Sequence, residues 1–133
     1  MEGQKRKILI VDDDTFLLDM YAFKFSQNNF EVYTAENGVQ SINKLKEGLK
    51  PDIILMDIIM PDMDGFEMLE KINTNNLSKN SIKIILSNKS QQSDIDKCNA
   101  LGASGYIVKA SSTPLEVIEQ VLGIWSKKVV VPK

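Results

Sequence analysis

Apolar runs that end on an acid, a hydroxyl or a lysine recur along this chain. They read KILIVDDD at residues 7–14, DIILMD at 52–57, IKIILS at 82–87 and GYIVKA at 105–110. Each is short, rich in β-branched residues and bounded by polar positions, the pattern of strands buried on both faces. A further run at 30–34 adds another strand. Between the strands the period becomes helical. Leu18, Tyr21 and Phe25 repeat at helical spacing over 15–27, with Phe16, Met20 and Phe23 on an adjacent stripe. Asn37 is placed to cap a second helix carrying Ile42, Leu45 and Leu49, which Lys50-Pro51 ends. Asp64 caps a third with Phe66, Leu69 and Ile72 inward, and Ile95, Cys98 and Leu101 mark a fourth that Gly102 closes. Thr113 and Glu116 form a capping box around Pro114, opening a fifth helix with Ile118, Val121, Leu122 and Trp125 on its buried face.

Strands alternating with helices through short connections predict right-handed crossovers and a doubly wound parallel sheet of the α/β class. No repeat, low-complexity tract or second domain interrupts the pattern, so residues 1–133 are expected to form one domain.

Composition removes several function classes. A net charge of -2 gives no general attraction to nucleic acid or anionic membrane, and direct binding to either is not expected. The basic start MEGQKRK leads into Ile8 to Val11 before three aspartates intervene, too short an apolar stretch for an export signal or membrane span. Cys98 is the only cysteine and cannot form an internal disulfide, which suits a reducing compartment and makes a cytoplasmic location the expectation. The chain has no histidine, which excludes histidine-based zinc sites, Ser/His and Cys/His nucleophilic dyads, and a histidine phosphodonor of its own.

What remains is carboxylates, a lysine and hydroxyls at strand ends. Ligands of open parallel sheets bind outside the carboxyl ends of the strands, where the strand order reverses. Asp12, Asp13, Asp57 and Lys109 therefore converge on one pocket. Aspartates brought that close repel by about 4 kcal/mol per close pair at an effective dielectric of 20. A hard divalent ion removes the repulsion, and Mg²⁺, with Mn²⁺ as a substitute, takes one or two carboxylates, several waters and a phosphate oxygen. Three carboxylates, Mg²⁺ and the Lys109 ammonium sum to zero, leaving a site that accepts a phosphoryl group held by the ion, Lys109 and the Ser87 hydroxyl. Asp57, ending the central strand, is the nucleophile of choice, giving an aspartyl phosphate. Asp12 and Asp13 share the metal, and the Ile59 carbonyl, in a loop shaped by Pro61 and Gly65, is within reach of it.

These motifs, ILIVDDD, DIILMDIIMPDMDG, IILSN and LGASGYIVKA, jointly resemble a response-regulator receiver domain of two-component signalling, of the stand-alone type. The resemblance covers about residues 6–126 and leaves 127–133 as a short tail. It implies a flavodoxin-like fold with sheet order 2-1-3-4-5, and Mg²⁺-dependent phosphoryl transfer from a partner's phosphohistidine to aspartate. By position it implies Asp57 as phosphoacceptor, Asp12 and Asp13 as metal acids, Lys109 as phosphate-binding cation, Ser87 as switch hydroxyl and Tyr106 as switch aromatic. It also implies a sensor histidine kinase or histidine phosphotransfer protein as donor. The face of the fourth helix, fifth strand and fifth helix would meet a downstream protein, and the chain would be a monomer or a phosphorylation-dependent dimer. Phosphorylation and dephosphorylation would be catalysed by the receiver itself, with no enzymatic turnover of another substrate.

Two positions depart from the family pattern. Ala110 stands where proline in a cis peptide usually follows the lysine; a cis bond before a non-proline residue costs about 2.5–4 kcal/mol, so Lys109–Ala110 is expected trans. Asn88 stands where a small residue is common, and its side chain is expected to narrow access to the phosphate.

Other residues take plainer readings. Asp14 leads toward the helix start, Asp62 belongs to the loop, Cys98 is buried and inert, and Trp125 is a core or interface anchor. Residue chemistry alone leaves Tyr106 open between core aromatic and switch, and Ser87 between switch and local hydrogen bonding. Two rival functions share the motifs. A haloacid-dehalogenase-like phosphatase also uses an aspartyl phosphate, but needs acids after the lysine strand, where this chain has Ala110, Ser111 and Ser112. The other rival is a receiver-like interaction module that is never phosphorylated.

Overall fold

The computed structural model describes residues 5–128. The order of elements is β1 (Arg6–Val11), α1 (Thr15–Gln27), β2 (Phe30–Ala35), α2 (Gly38–Lys46), β3 (Ile53–Met56), α3 (Gly65–Thr74), β4 (Ile82–Ser87), α4 (Gln92–Ala100), β5 (Gly105–Val108), a 3-10 turn at Lys109–Ser111 and α5 (Pro114–Lys128). The five strands form one parallel sheet in the order β2-β1-β3-β4-β5. This is the expected doubly wound fold, with its change of direction between β1 and β3. Of the expected tail, Lys127 and Lys128 belong to α5, and residues 129–133 lie outside the described residues.

Strand alternation divides the core in two. Ile8, Ile10, Ile53, Leu55, Ile84, Leu86 and Ile107 pack with α1 and α5, whereas Leu9, Val11, Ile54, Met56 and Ile85 pack with α2, α3 and α4. α1 is apolar around most of its circumference. It buries Leu18, Tyr21 and Phe25, and leaves Phe16 and Phe23 exposed. On α5 Val117 joins Ile118 and Val121 in the core, while Trp125 is half-buried beneath the Arg6 guanidinium, 5.6 Å from the ring centre.

Helix ends are fixed by local chemistry. Asp14 accepts from Leu17 N–H, Asn37 from Gln40 N–H and Asp64 from Glu67 N–H. The Thr113–Glu116 capping box forms in both directions, at 2.8 and 3.2 Å. α2 stops at Lys46, before Leu49, although Leu49 keeps the helical spacing. Gly48 adopts φ +112°, and the Gly48 and Leu49 amides turn back to the Leu45 and Lys44 carbonyls, a Schellman ending that a glycine makes inexpensive. The strands also end slightly earlier than expected: Asp57 follows β3, and Lys109 opens the 3-10 turn after β5.

Candidate functional site

Register sets the site. Val11 pairs with Met56 and Met56 with Ile85, which itself pairs with Tyr106, so Asp12 and Asp57 are level one residue beyond that row. The Asp57 N–H donates to the Val11 carbonyl at 3.1 Å, fixing the two acids side by side. Alternation then places Asp12, Asp57 and Lys109 on the α1/α5 side of the sheet, and Ser87 and Tyr106 on the other.

Lys109 Nζ lies 2.6 Å from Asp12 Oδ2 and 2.8 Å from Asp57 Oδ2, bridging the pair. Asp12 is 3% and Asp57 8% exposed, so these are desolvated contacts. The remaining carboxylate oxygens are satisfied by backbone. Asp12 Oδ1 accepts from Asp14 N–H at 3.0 Å, and Asp57 Oδ1 accepts from Ile58 and Ile59 N–H at 2.7 and 3.2 Å. Asp13 is exposed at the mouth. It completes a triad in which Asp12, Asp13 and Asp57 each offer an oxygen within 4.8 Å of the others.

The two ends of the ion pair respond differently to burial. Desolvation dominates at Asp12 and raises its carboxyl above the ordinary value, against the lowering effect of Lys109 and the Asp14 amide. At Lys109 burial acts to lower the ammonium, but its hydrogen bonds and charge pairing with Asp12 and Asp57 together outweigh it, so the group is held above its usual value and stays cationic. An arrangement of three acids around one ammonium carries excess negative charge open to solvent at Asp13, the donor set that suits a hard divalent cation.

The turn after β3 is compressed against this site. Gly65 N–H donates to the Ile58 carbonyl at 2.7 Å, and a Cβ at residue 65 would stand 2.7 Å from the Asp57 carbonyl oxygen and 2.8 Å from Ile58 Cα. Only glycine allows α3 to start so close to the acid. Ile59, in the same turn, is exposed.

Ser87 is fully buried at the end of β4, its Oγ accepting from Lys89 N–H at 3.3 Å. Tyr106 is half-buried, packs on the α2–α4 side and donates its hydroxyl to the Lys89 carbonyl. Both therefore address the loop between β4 and α4. Burial is the main cause that pushes the Tyr106 hydroxyl up to about 12, so it stays protonated and keeps the proton it donates to Lys89.

The Lys109–Ala110 peptide is trans, as expected for a non-proline residue. Asn88 also has a backbone partner. Its Oδ1 accepts the Ala110 N–H at 2.8 Å, tying β4 to the turn that carries Lys109. Sequence reasoning treated the two positions as separate departures; the amide that Ala110 bears and a proline lacks is the signal that could have linked them. Asp62 accepts from Val39 N–H in a loop contact, and Asp64 is occupied as a cap.

A five-stranded 2-1-3-4-5 sheet with an acid triad and a lysine at its carboxyl edge defines a receiver, and the chain belongs to the response regulator receiver domain family, whose pattern it matches over residues 8–121. It is 39% identical over 119 residues to the chemotaxis protein CheY of Bacillus subtilis, covering 87% of this chain and 97% of that one. It is also 39% identical over 106 residues to the chemotaxis protein CheY of Listeria monocytogenes, covering 78% and 76%. Among solved structures, a CheY-like receiver domain protein of Methanospirillum hungatei superposes with a TM-score of 0.84 at 28% identity, over 94% of this chain and 97% of that one. The family match sets aside the dehalogenase-like reading. No helix among the described residues is long and apolar enough to cross a membrane.

Proposed function

We propose that Asp57 is the phosphoacceptor of this receiver, and that its phosphorylation changes how the chain binds a protein partner. The observation that carries this is the Lys109 ammonium bridging Asp12 and Asp57 while Asp13 completes an acid triad. The donor is a phosphohistidine on a sensor kinase or phosphotransfer protein, which this chain, having no histidine, cannot supply itself. An Asp57 carboxylate oxygen forms the new bond to phosphorus as the phosphorus–nitrogen bond breaks, and the leaving imidazole is neutralised by a proton.

Asp12, Asp13, Asp57 and the Ile59 carbonyl would hold Mg²⁺ or Mn²⁺, which when bound neutralises charge on the transferring oxygens. The chain's own residues supply orientation. Ile58 and Ile59 N–H fix one Asp57 oxygen and Lys109 the other, so the carboxylate plane is set before the donor arrives. Lys109 stays cationic across physiological pH and can pair with the phosphoryl group once it is attached.

Ser87 and Tyr106 are the switch. A phosphoryl oxygen recruits the Ser87 hydroxyl, the β4–α4 loop follows, and the Tyr106 bond to the Lys89 carbonyl holds the ring against the moved loop. The face of α4, β5 and α5 then changes its affinity for a downstream protein. Hydrolysis of the aspartyl phosphate by the receiver itself resets the state.

Intact-mass spectrometry after incubation with acetyl phosphate tests the reading. One added phosphate is expected with Mg²⁺, none with EDTA and none in Asp57→Ala. No adduct in the parent, together with no stable beryllofluoride complex, would transfer the chain to the unphosphorylated interaction-module reading.

A further inference from the structure

We infer that Asn88 is a positioning residue for Lys109 in the phosphoryl-transfer reaction, acting through the Ala110 amide; the inference rests on Asp57 being the phosphoacceptor. Ser87 pairs with Val108 in the last rung between β4 and β5, so Asn88 and Lys109 are the first residues beyond the ladder on the two strands. At that point the Asn88 side chain takes over. Because Ala110 contributes an N–H donor, the acceptor is the amide oxygen, and it lies 2.8 Å away. Ser112 N–H closes the other side of the turn on the Lys109 carbonyl at 3.2 Å.

The backbone of Lys109 is thus held from both directions, by the β5 ladder before it and by the Asn88–Ala110 bond after it. Lysine has a flexible four-carbon stem and gives up much of its rotamer freedom when fixed. Delivering Nζ to within 3 Å of two carboxylates at once is therefore sensitive to where the main chain starts. Without Asn88 the peptide after Lys109 keeps its own short turn and the exposed Gln120–Ser112 bond two residues further on, both at the surface. Asn88 and Ala110 then form one functional unit: a side-chain oxygen on one strand end and a main-chain donor on the other. The same bond joins the strand end carrying Ser87 to the one carrying Lys109, the two groups assigned to the phosphoryl oxygens.

Asn88→Ala and Asn88→Leu separate this role from simple obstruction of the pocket. Both remove the acceptor; alanine opens space, and leucine keeps the bulk. With saturating Mg²⁺ and acetyl phosphate, followed by intact mass, both variants are expected to lower the maximal rate of Asp57 labelling by roughly three- to tenfold, the worth of one net hydrogen bond. The half-saturating acetyl phosphate concentration should stay near the parent's. Ala110 amide exchange, read by NMR, should accelerate severalfold in both, and urea midpoints should stay close to the parent's because Asn88 is exposed. In an Ala110→Pro background, which lacks the donor, the same Asn88 substitutions should have no further effect.

The inference is overturned if both variants label at the parent's rate, if alanine speeds labelling while leucine does not, or if the Asn88 effect persists in the Ala110→Pro background. A parent that takes up no phosphate overturns the phosphoacceptor reading and this inference with it, whereas a labelled parent with indifferent variants overturns this inference alone.

Discussion

Replacing Lys109 with methionine keeps the length of the side chain and deletes the charge that holds Asp12 and Asp57 together. At 2.6 and 2.8 Å and an effective dielectric of 20, each contact is worth about 6 kcal/mol of Coulomb attraction. Against this stands the desolvation of an ammonium whose side chain is 10% exposed, several kcal/mol per buried ion. The substitution removes the attraction and leaves two nearly buried carboxylates facing each other. Breaking a buried pair from one side typically costs about 3–5 kcal/mol. Asp13 keeps this site open to water, so the low end applies, and a loss of about 3 kcal/mol corresponds to roughly 10 °C in Tm for a domain of this size.

The assay is urea unfolding of parent and Lys109→Met in EDTA near neutral pH, followed by the same titration with Mg²⁺. The variant should unfold earlier in EDTA with an unchanged slope. Mg²⁺ should restore more stability to the variant than to the parent, because the acid triad then has no competing cation. The pH dependence carries the sign of the pairing. Lys109 is raised in the folded state, so its contribution is complete below 10.5, the value of the free group, and is lost as pH rises through the folded value. That alkaline loss should be missing from the variant. Equal urea midpoints in EDTA, within about 0.5 kcal/mol, would refute the reasoning, since surface-like pairs contribute no more than that.

Asp12 shifts stability in the same direction but in the acid range and for a different reason, burial: its folded value is raised above 3.8, so the folded state binds that proton more tightly and its contribution to stability falls as pH climbs through the window above 3.8. Asp12→Asn should flatten that part of the pH–stability curve in EDTA while abolishing labelling by acetyl phosphate, both readable on one preparation. Gly65→Ala forces a Cβ against the Asp57 carbonyl and Ile58 backbone, and should cost about 1–3 kcal/mol in urea unfolding together with slower labelling. Burial raises the Cys98 thiol to about 11, so alkylation near pH 8 should be negligible in the native protein and complete once urea unfolds it; rapid native alkylation would contradict its buried position.

Most of the fold was legible because buried parallel strands leave a blunt signature. Runs such as Ile8–Val11 and Ile53–Met56 have no polar alternation to confuse with a half-exposed sheet, and side-chain caps at Asn37, Asp64 and Thr113 fixed helix starts from nearest-neighbour chemistry. The errors came where local pattern was ambiguous. Leu49 keeps helical spacing with Ile42 and Leu45, yet the helix ends at Lys46, three residues earlier, because the turn through left-handed Gly48 satisfies two open carbonyls at once. α1 offered two apolar stripes, and periodicity alone gave no reason to bury Tyr21 and Phe25 and expose Phe16 and Phe23.

The site divides along the same line. Asp12, Asp57 and Lys109 were legible because each terminates a strand, and in a parallel sheet all strand ends of one kind lie on one edge. How these groups meet was not legible, since it depends on the phase of each strand against its neighbour. Lys109 reaches both acids because residues 12, 57 and 109 fall on one side of the sheet when the strands pair in this register; a slip of one residue would turn the lysine toward Ser87. The Asn88–Ala110 bond is set in the same way, by a side chain that continues the β4–β5 pairing past its last backbone rung. Chemistry at this edge is therefore inherited from the ladder: the apolar residues that fix the register of β1, β3, β4 and β5 are also what aim the charged ones.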